Sequence, residues 1–166
     1  MKRWVLILLI VLGLGAVAAI VGFSQIELDA LQEPGHLETV LATRAKHILV
    51  SRSSRDGIPP APTNLQTSIE EGDKLFGTEC AMCHGLDGHQ PTDAGRWMYP
   101  RASDLTSPEV QQYSDRELFW IVKNGIRLSG MPAFGRVESD EHIWNLAHYV
   151  RTLGGSARPD SGGTAH

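Results

Sequence analysis

The stretch Cys80-Ala81-Met82-Cys83-His84 holds the only two cysteines of the chain and sets an imidazole directly after the second. Three chemistries use such a grouping. The thiols can cycle as a redox dithiol, or join His84 as three ligands of a zinc ion. They can also bond the two vinyl groups of one porphyrin while the histidine next in line addresses its iron. A thioredoxin-like dithiol belongs between a strand and a helix of a mixed fold, but here a helical pattern precedes Cys80 and a glycine-rich turn follows His84. Structural zinc wants four ligands, usually from two short-spaced pairs, and residues 68–153 offer no second cysteine pair and no His-x-x-x-His. Covalent haem attachment requires a histidine in that place.

An iron held by one histidine needs a sixth ligand. Met131 stands in "LSGMPAFG", where Gly130 and Pro132 keep the chain out of a helix, so the thioether is offered from a loop. It lies 47 residues beyond His84, enough chain to reach the opposite face of a ring. A lone methionine is by default a core filler, but its rivals are poorer ligands. Met82 sits inside the attachment loop, and Met98 lies only 14 residues past His84, a position suited to packing against the ring. His89 follows a tight turn and reads as exposed. His142 and His148 fall on the last helix, and His36 and His47 share one face of a helix near the N-terminus, a weak metal signal.

The elements that would position these groups are helical. Ser68 with Glu71 reads as a capping box opening a helix toward Cys80. Ser107-Pro108-Glu109 offers an N-cap, a proline at the first helical position and an acid against the dipole. Ser114 with Glu117 forms a second capping box, closed by Gly125, and Ser139-Asp140-Glu141 begins a helix that ends at Gly154. No stretch alternates as a sheet strand should. The fold expected is all-α: a small helical module around one covalent haem, preceded by a transmembrane helix and a tether.

Four segments are expected. Residues 1–23 contain an uncharged apolar run, 4–23, long enough to cross a bilayer. Lys2 and Arg3 precede it, so the positive-inside rule leaves the N-terminus in the cytoplasm and the remainder across the membrane. Ala16-Val17-Ala18 also fits a signal-peptide cleavage site, but the apolar run continues past it, which favours a retained anchor. Residues 24–67 read as a tether, with a helix over about 34–53 that starts at Pro34 and bears the stripe Leu37, Val40, Leu41, Ile48 and Leu49. A spacer with Pro59, Pro60 and Pro62 follows. Residues 68–153 form the module, and the Gly/Ser-rich residues 154–166 a disordered tail.

The chain carries a formal charge of -4, and residues 68–153 hold 13 acidic against 8 basic side chains. That balance excludes a nucleic-acid partner and suits steering toward a basic docking patch. Residues 34–55 run the other way, with Arg44, Lys46, Arg52 and Arg55 against Glu38 alone.

Together, C-x-x-C-H and the later Gly-Met-Pro loop make residues 68–153 resemble the class I c-type cytochromes, with a single haem ligated by histidine and methionine. Gly72, Phe76 and Cys80 on one helix face strengthen the resemblance, because in that family a glycine and an aromatic there meet the C-terminal helix. Here that helix would present Ile143, Leu146, Tyr149, Val150 and Leu153. The resemblance implies haem c bonded to Cys80 and Cys83, with His84 and Met131 as axial ligands of its iron. It also implies a backbone carbonyl from a proline loop, here around Pro100, that accepts a hydrogen bond from His84. Trp97, Tyr99 and Arg101 become candidates for the haem propionates, and Trp120 for a neighbour of Met131.

The expected function is single-electron transfer at the outer, periplasmic face of a bacterial cytoplasmic membrane. The donor would be a dehydrogenase or quinol-oxidising complex and the acceptor an oxidase or another cytochrome. A fixed subunit of one oxidoreductase complex is the alternative. A haem sensor or peroxidase with a labile Met131 is a third reading, and it predicts a high-spin ferrous form that binds carbon monoxide.

Overall fold

The computed structural model describes residues 2–24 and 32–155, so the part from 156 onward of the tail expected over 154–166, and the chain over 25–31, lie outside the described residues. The chain divides into two units, Met1–Gln32 and Glu33–His166. The first consists of helix α1, Lys2–Ser24, which is long and apolar enough to cross a membrane.

In the second unit every described element is helical: α2 (His36–Ser53), α3 (Leu65–Glu79), α4 (Ala81–His84), α5 (Asp93–Arg96), α6 (Pro108–Gln111), α7 (Asp115–Asn124) and α8 (Asp140–Leu153), with a 3-10 turn at Phe134–Arg136. Three starts follow from local cap chemistry. Ser107 accepts from the Val110 amide with Pro108 at the first position, Ser114 and Glu117 form a reciprocal capping box, and Ser139 accepts from the His142 amide.

Two starts differ from expectation. Helix α3 begins at Leu65, where the Asn64 side chain accepts from the Thr67 amide. Ser68 therefore lies inside the helix and is buried. Its hydroxyl meets Asn145 Oδ1 at 2.6 Å and His148 Nδ1 at 2.8 Å, joining α3 to α8. A buried polar group needs such partners, and this tertiary demand outweighs the local capping signature. Helix α2 begins at His36 with Gly35 as its cap residue, so Pro34 stands before the helix.

Helices α3 and α8 cross closely, and Gly72 is the reason they can. A Cβ on Gly72 would stand 2.1 Å from the Asn145 carbonyl oxygen and 2.8 Å from Tyr149 Cβ. One turn on, Phe76 packs against the Tyr149 ring at 5.1 Å between centroids, and Ile143, Leu146, Val150 and Leu153 complete the buried face. Gly72→Val is expected to destabilise the module by about 3 kcal/mol or more, since backbone cannot yield as a side-chain tip does. Thermal melting of the full chain in detergent checks this, and an unchanged midpoint would contradict the crossing.

Helix α2, read from the sequence as part of a tether, packs on the module. Lys46 pairs with Glu109 at 3.0 Å, the His47 ring stacks on Tyr113 at 4.1 Å, and Val50 is buried. Arg116 donates to the carbonyls of Ser54 and Arg55, and the Trp144 indole donates to that of Pro59. The packing face runs Val40, Thr43, Lys46, His47, Val50 at helical spacing. Leu37, Leu41, Ile48 and Leu49 of the apolar stripe lie off this face and are 59–69% exposed.

Candidate haem site

Helix α4 is one turn long and carries the attachment motif. It follows α3 directly, with Cys80 serving both as the end of one helix and the cap of the next. Gly85 ends it at φ +77, and a Cβ there would stand 2.4 Å from the Gln90 carbonyl oxygen, so the turn tolerates only glycine. Helix α5 lies close behind: Gly95 is buried where a Cβ would meet the Cys83 carbonyl oxygen at 2.1 Å. The Thr92 amide donates to that same carbonyl.

A cavity of about 100 Å³, partly open to solvent, lies between α3, α7, α8 and the loops. Cys80, His84 and Met131 all line it. Cys83 is half-buried but is not among the lining residues. The remaining walls are mostly apolar, with Phe76, Leu105, Val110, Leu118, Ile121, Val122, Ile126, Leu146 and Val150. Among the described residues, no three His, Cys, Asp or Glu side chains are grouped to hold a metal ion, so Cys80, Cys83 and His84 do not converge as a zinc site would require. Burial pushes the Cys80 thiol up to about 12, with Glu79 and Cys83 adding to the rise. A working redox dithiol needs the opposite shift.

The histidine is oriented. His84 Nδ1 lies 2.9 Å from the Ser103 carbonyl oxygen, so in the tautomer that donates this bond Nε2 keeps its lone pair. Burial holds the imidazole below the usual histidine range, with the Ser103 bond opposing. The accepting carbonyl comes from the loop that contains Pro100, three residues further along than the proline singled out from the sequence.

Met131 is half-buried in a loop bracketed by Gly125 and Pro132. Gly125 closes α7 at φ +66, and a Cβ there would stand 2.8 Å from the Met131 carbonyl oxygen, so the glycine both stops the helix and lets the methionine loop return past it. The Met131 amide donates to Ser129 Oγ. Met98 packs beside Gly130, where a Cβ would lie 2.4 Å from its sulfur, and does not line the cavity. Trp120 is half-buried at the edge of the same core as Met131. Of the histidines, His89 pairs with Asp104 and Thr106, His142 pairs with Glu138 on the surface, and His148 belongs to the Ser68 network.

The expected propionate partners are engaged elsewhere. Trp97 is 79% exposed, the Tyr99 hydroxyl donates to Glu38, and Arg101 pairs with Glu33. None of the three lines the cavity. Three polar residues that the sequence did not single out for the site do so: Ser103, whose carbonyl serves His84, Lys46 of α2 and Tyr113. Tyr113 is 4% exposed, and its hydroxyl has no hydrogen-bond partner among the described residues. Burial, with Glu109 and Glu117 nearby, pushes the phenol up to about 12, so it remains a neutral donor. The sole sequence signal for Tyr113 was an aromatic with a hydroxyl immediately before the cap residue Ser114.

A flat apolar ring with carboxylates at one edge fits this donor set: sulfur and imidazole groups to attach and ligate it, apolar walls, and an unsatisfied buried hydroxyl. Residues 67–150 match the family described as "Cytochrome C oxidase, cbb3-type, subunit III". The chain is 30% identical over 119 residues to the "Cbb3-type cytochrome c oxidase subunit FixP" of Azorhizobium caulinodans, covering 64% of this chain and 36% of that protein. The chain therefore spans about a third of the length of this curated relative. Among solved structures it resembles a chain of the reducing HAO-like protein complex of Kuenenia stuttgartiensis. The TM-score is 0.50 and the identity 26%, over 58% of this chain and 47% of that one.

Proposed function

The chain belongs to the cbb3-type cytochrome c oxidase subunit III family, whose cytochrome c domain implies one covalently bound haem c, and from that premise we propose that it is a membrane-anchored carrier of single electrons between redox proteins. Cys80 and Cys83 would form the two thioether links, and His84 Nε2 and Met131 Sδ would take the two axial positions. When bound, the haem supplies a ferrous/ferric couple whose potential such ligation raises. With His84 and Met131 both holding the iron, no coordination site would be left for oxygen or a substrate, and the chemistry supplied would be electron transfer without bond making. The Ser103 carbonyl fixes the imidazole and raises its basicity, and the apolar walls exclude water.

One observation carries this reading. A single cavity gathers Cys80, His84 and Met131, although 47 residues separate the last two. Helix α1 with Lys2 and Arg3 before its apolar run supports an anchor that leaves the module on the outer, periplasmic face. The donor is a dehydrogenase or quinol-oxidising complex and the acceptor an oxidase or cytochrome. The exposed row Leu37, Leu41, Ile48 and Leu49 favours a second reading, a fixed subunit of one complex, because a soluble shuttle has no use for it.

The test is to express the full chain in a host that matures c-type cytochromes and solubilise its membranes in mild detergent. A haem-stained band at full-chain mass on a denaturing gel is expected, with a low-spin ferrous spectrum indifferent to carbon monoxide. A colourless band, or a ferrous form that takes up the gas, refutes the carrier. Isolation within a larger assembly separates the subunit reading from the shuttle.

A further inference from the structure

We propose that Lys46 and Tyr113 bind the carboxylate edge of the haem, which makes α2, a helix outside the family-matched residues 67–150, a working wall of the haem site. The inference rests on the haem reading above and concerns groups that reading leaves unused. Haem c presents an apolar ring with two propionates. The polar groups on the cavity wall are few: Cys80, His84 and Met131 are assigned, and the Ser103 carbonyl is taken by His84. Lys46 and Tyr113 remain, one a cation and the other a buried donor without a partner among the described residues.

Their placement is held from three sides. Arg151 of α8 donates to the backbone carbonyls of Gln111 and Tyr113 and pairs with Asp115. His47 stacks on the Tyr113 ring with planes 12° apart, which fixes the phenol against α2. One helix position earlier, Lys46 reaches Glu109 at 3.0 Å with its side chain 28% exposed. An ammonium carries three donors, so one serves Glu109 and others are free for a carboxylate in the cavity. A buried donor left unsatisfied is destabilising, and a propionate oxygen would satisfy the Tyr113 hydroxyl. Tyr99 and Arg101 then act indirectly, pinning the start of this segment through Glu38 and Glu33.

The experiment uses the full haem-loaded chain in detergent and four variants: Lys46→Met, Tyr113→Phe, Glu109→Gln and, as a surface control, Lys74→Met. Lys74 is an exposed lysine paired with Glu71 on the same module. Reduction adds negative charge to the ring, so losing a contacting cation disfavours it. Lys46→Met should lower the electron-uptake equilibrium about threefold, ~30 mV at 59 mV per decade, and Lys74→Met far less. Glu109→Gln should raise it, because the ammonium is then released to the haem carboxylate. The propionate bending band in resonance Raman spectra should move in Lys46→Met and in Tyr113→Phe, which keeps the ring that stacks on His47. Equal shifts in Lys46→Met and Glu109→Gln would mean that the pair only pins α2, and would overturn the proposal. So would a propionate band unmoved in both cavity variants. Haem staining is recorded on every variant, so a stained protein with an unmoved band sinks this inference alone, and a colourless parent sinks the haem reading.

Discussion

A chain carrying Cys80→Ala together with Cys83→Ala is expected to lose covalent haem staining and, with it, a cooperative thermal transition. The physical reason is the position of the cavity. Phe76, Val110, Leu118, Val122, Leu146 and Val150 belong both to its wall and to the hydrophobic core. The module is a small domain with a marginal core, and its net stability is on the order of 5–15 kcal/mol. Leaving this cavity without its ring deprives the shared side chains of packing partners on one side. The expected loss exceeds ~5 kcal/mol, toward the whole of the stability. Circular dichroism of the detergent-solubilised variant should show no sharp melt. Either single cysteine variant should keep one thioether, and so keep stain and fold in part. A double variant that stains on a denaturing gel would break the attachment argument outright.

The sequence made the haem motif and most helix starts readable because both are local. C-x-x-C-H is five consecutive residues, and Ser107-Pro108, Ser114 with Glu117 and Ser139 act within a single turn. Gly72 was readable for another reason: the resemblance to class I c-type cytochromes implies a glycine there that meets the C-terminal helix. What the sequence concealed was every group whose role is set by distant partners. Ser68 and Glu71 have the form of a capping box, but Asn145 and His148, 77 and 80 residues away, take the Ser68 hydroxyl. In α2 Leu37, Leu41, Ile48 and Leu49 point out and the face that packs is mixed, since it meets Glu109, Gln112 and Tyr113 of the α6–α7 region through charge, hydrogen bonding and stacking. Hydrophobic periodicity cannot find such a face. The same blindness hid Lys46 and Tyr113, which belong to no motif and line one cavity only because α2 folds back on the module.

Met131→Ala is expected to give a protein that keeps its haem but loses the methionine-to-iron absorption of the oxidised state. The proposed attachment runs through Cys80 and Cys83, and the imidazole is held by Ser103, so neither is touched by the change. The loop should persist as well, because Gly125 and the Ser129 hydroxyl shape it independently of the thioether. Trimming a half-buried methionine costs about 2 kcal/mol, the low end for such a truncation. The thioether favours the ferrous state, so its removal should lower electron uptake about a hundredfold or more, ~120 mV at 59 mV per decade. The vacated axial position should make the ferrous form bind carbon monoxide, which the parent refuses. That pairing of readouts separates ligation from packing: a core methionine would change the melting point and leave both spectrum and potential alone. An unchanged spectrum would direct attention to Met98, whose sulfur packs beside Gly130 one residue from the proposed ligand. Met98→Leu in the same background would then remove the absorption that Met131→Ala had spared.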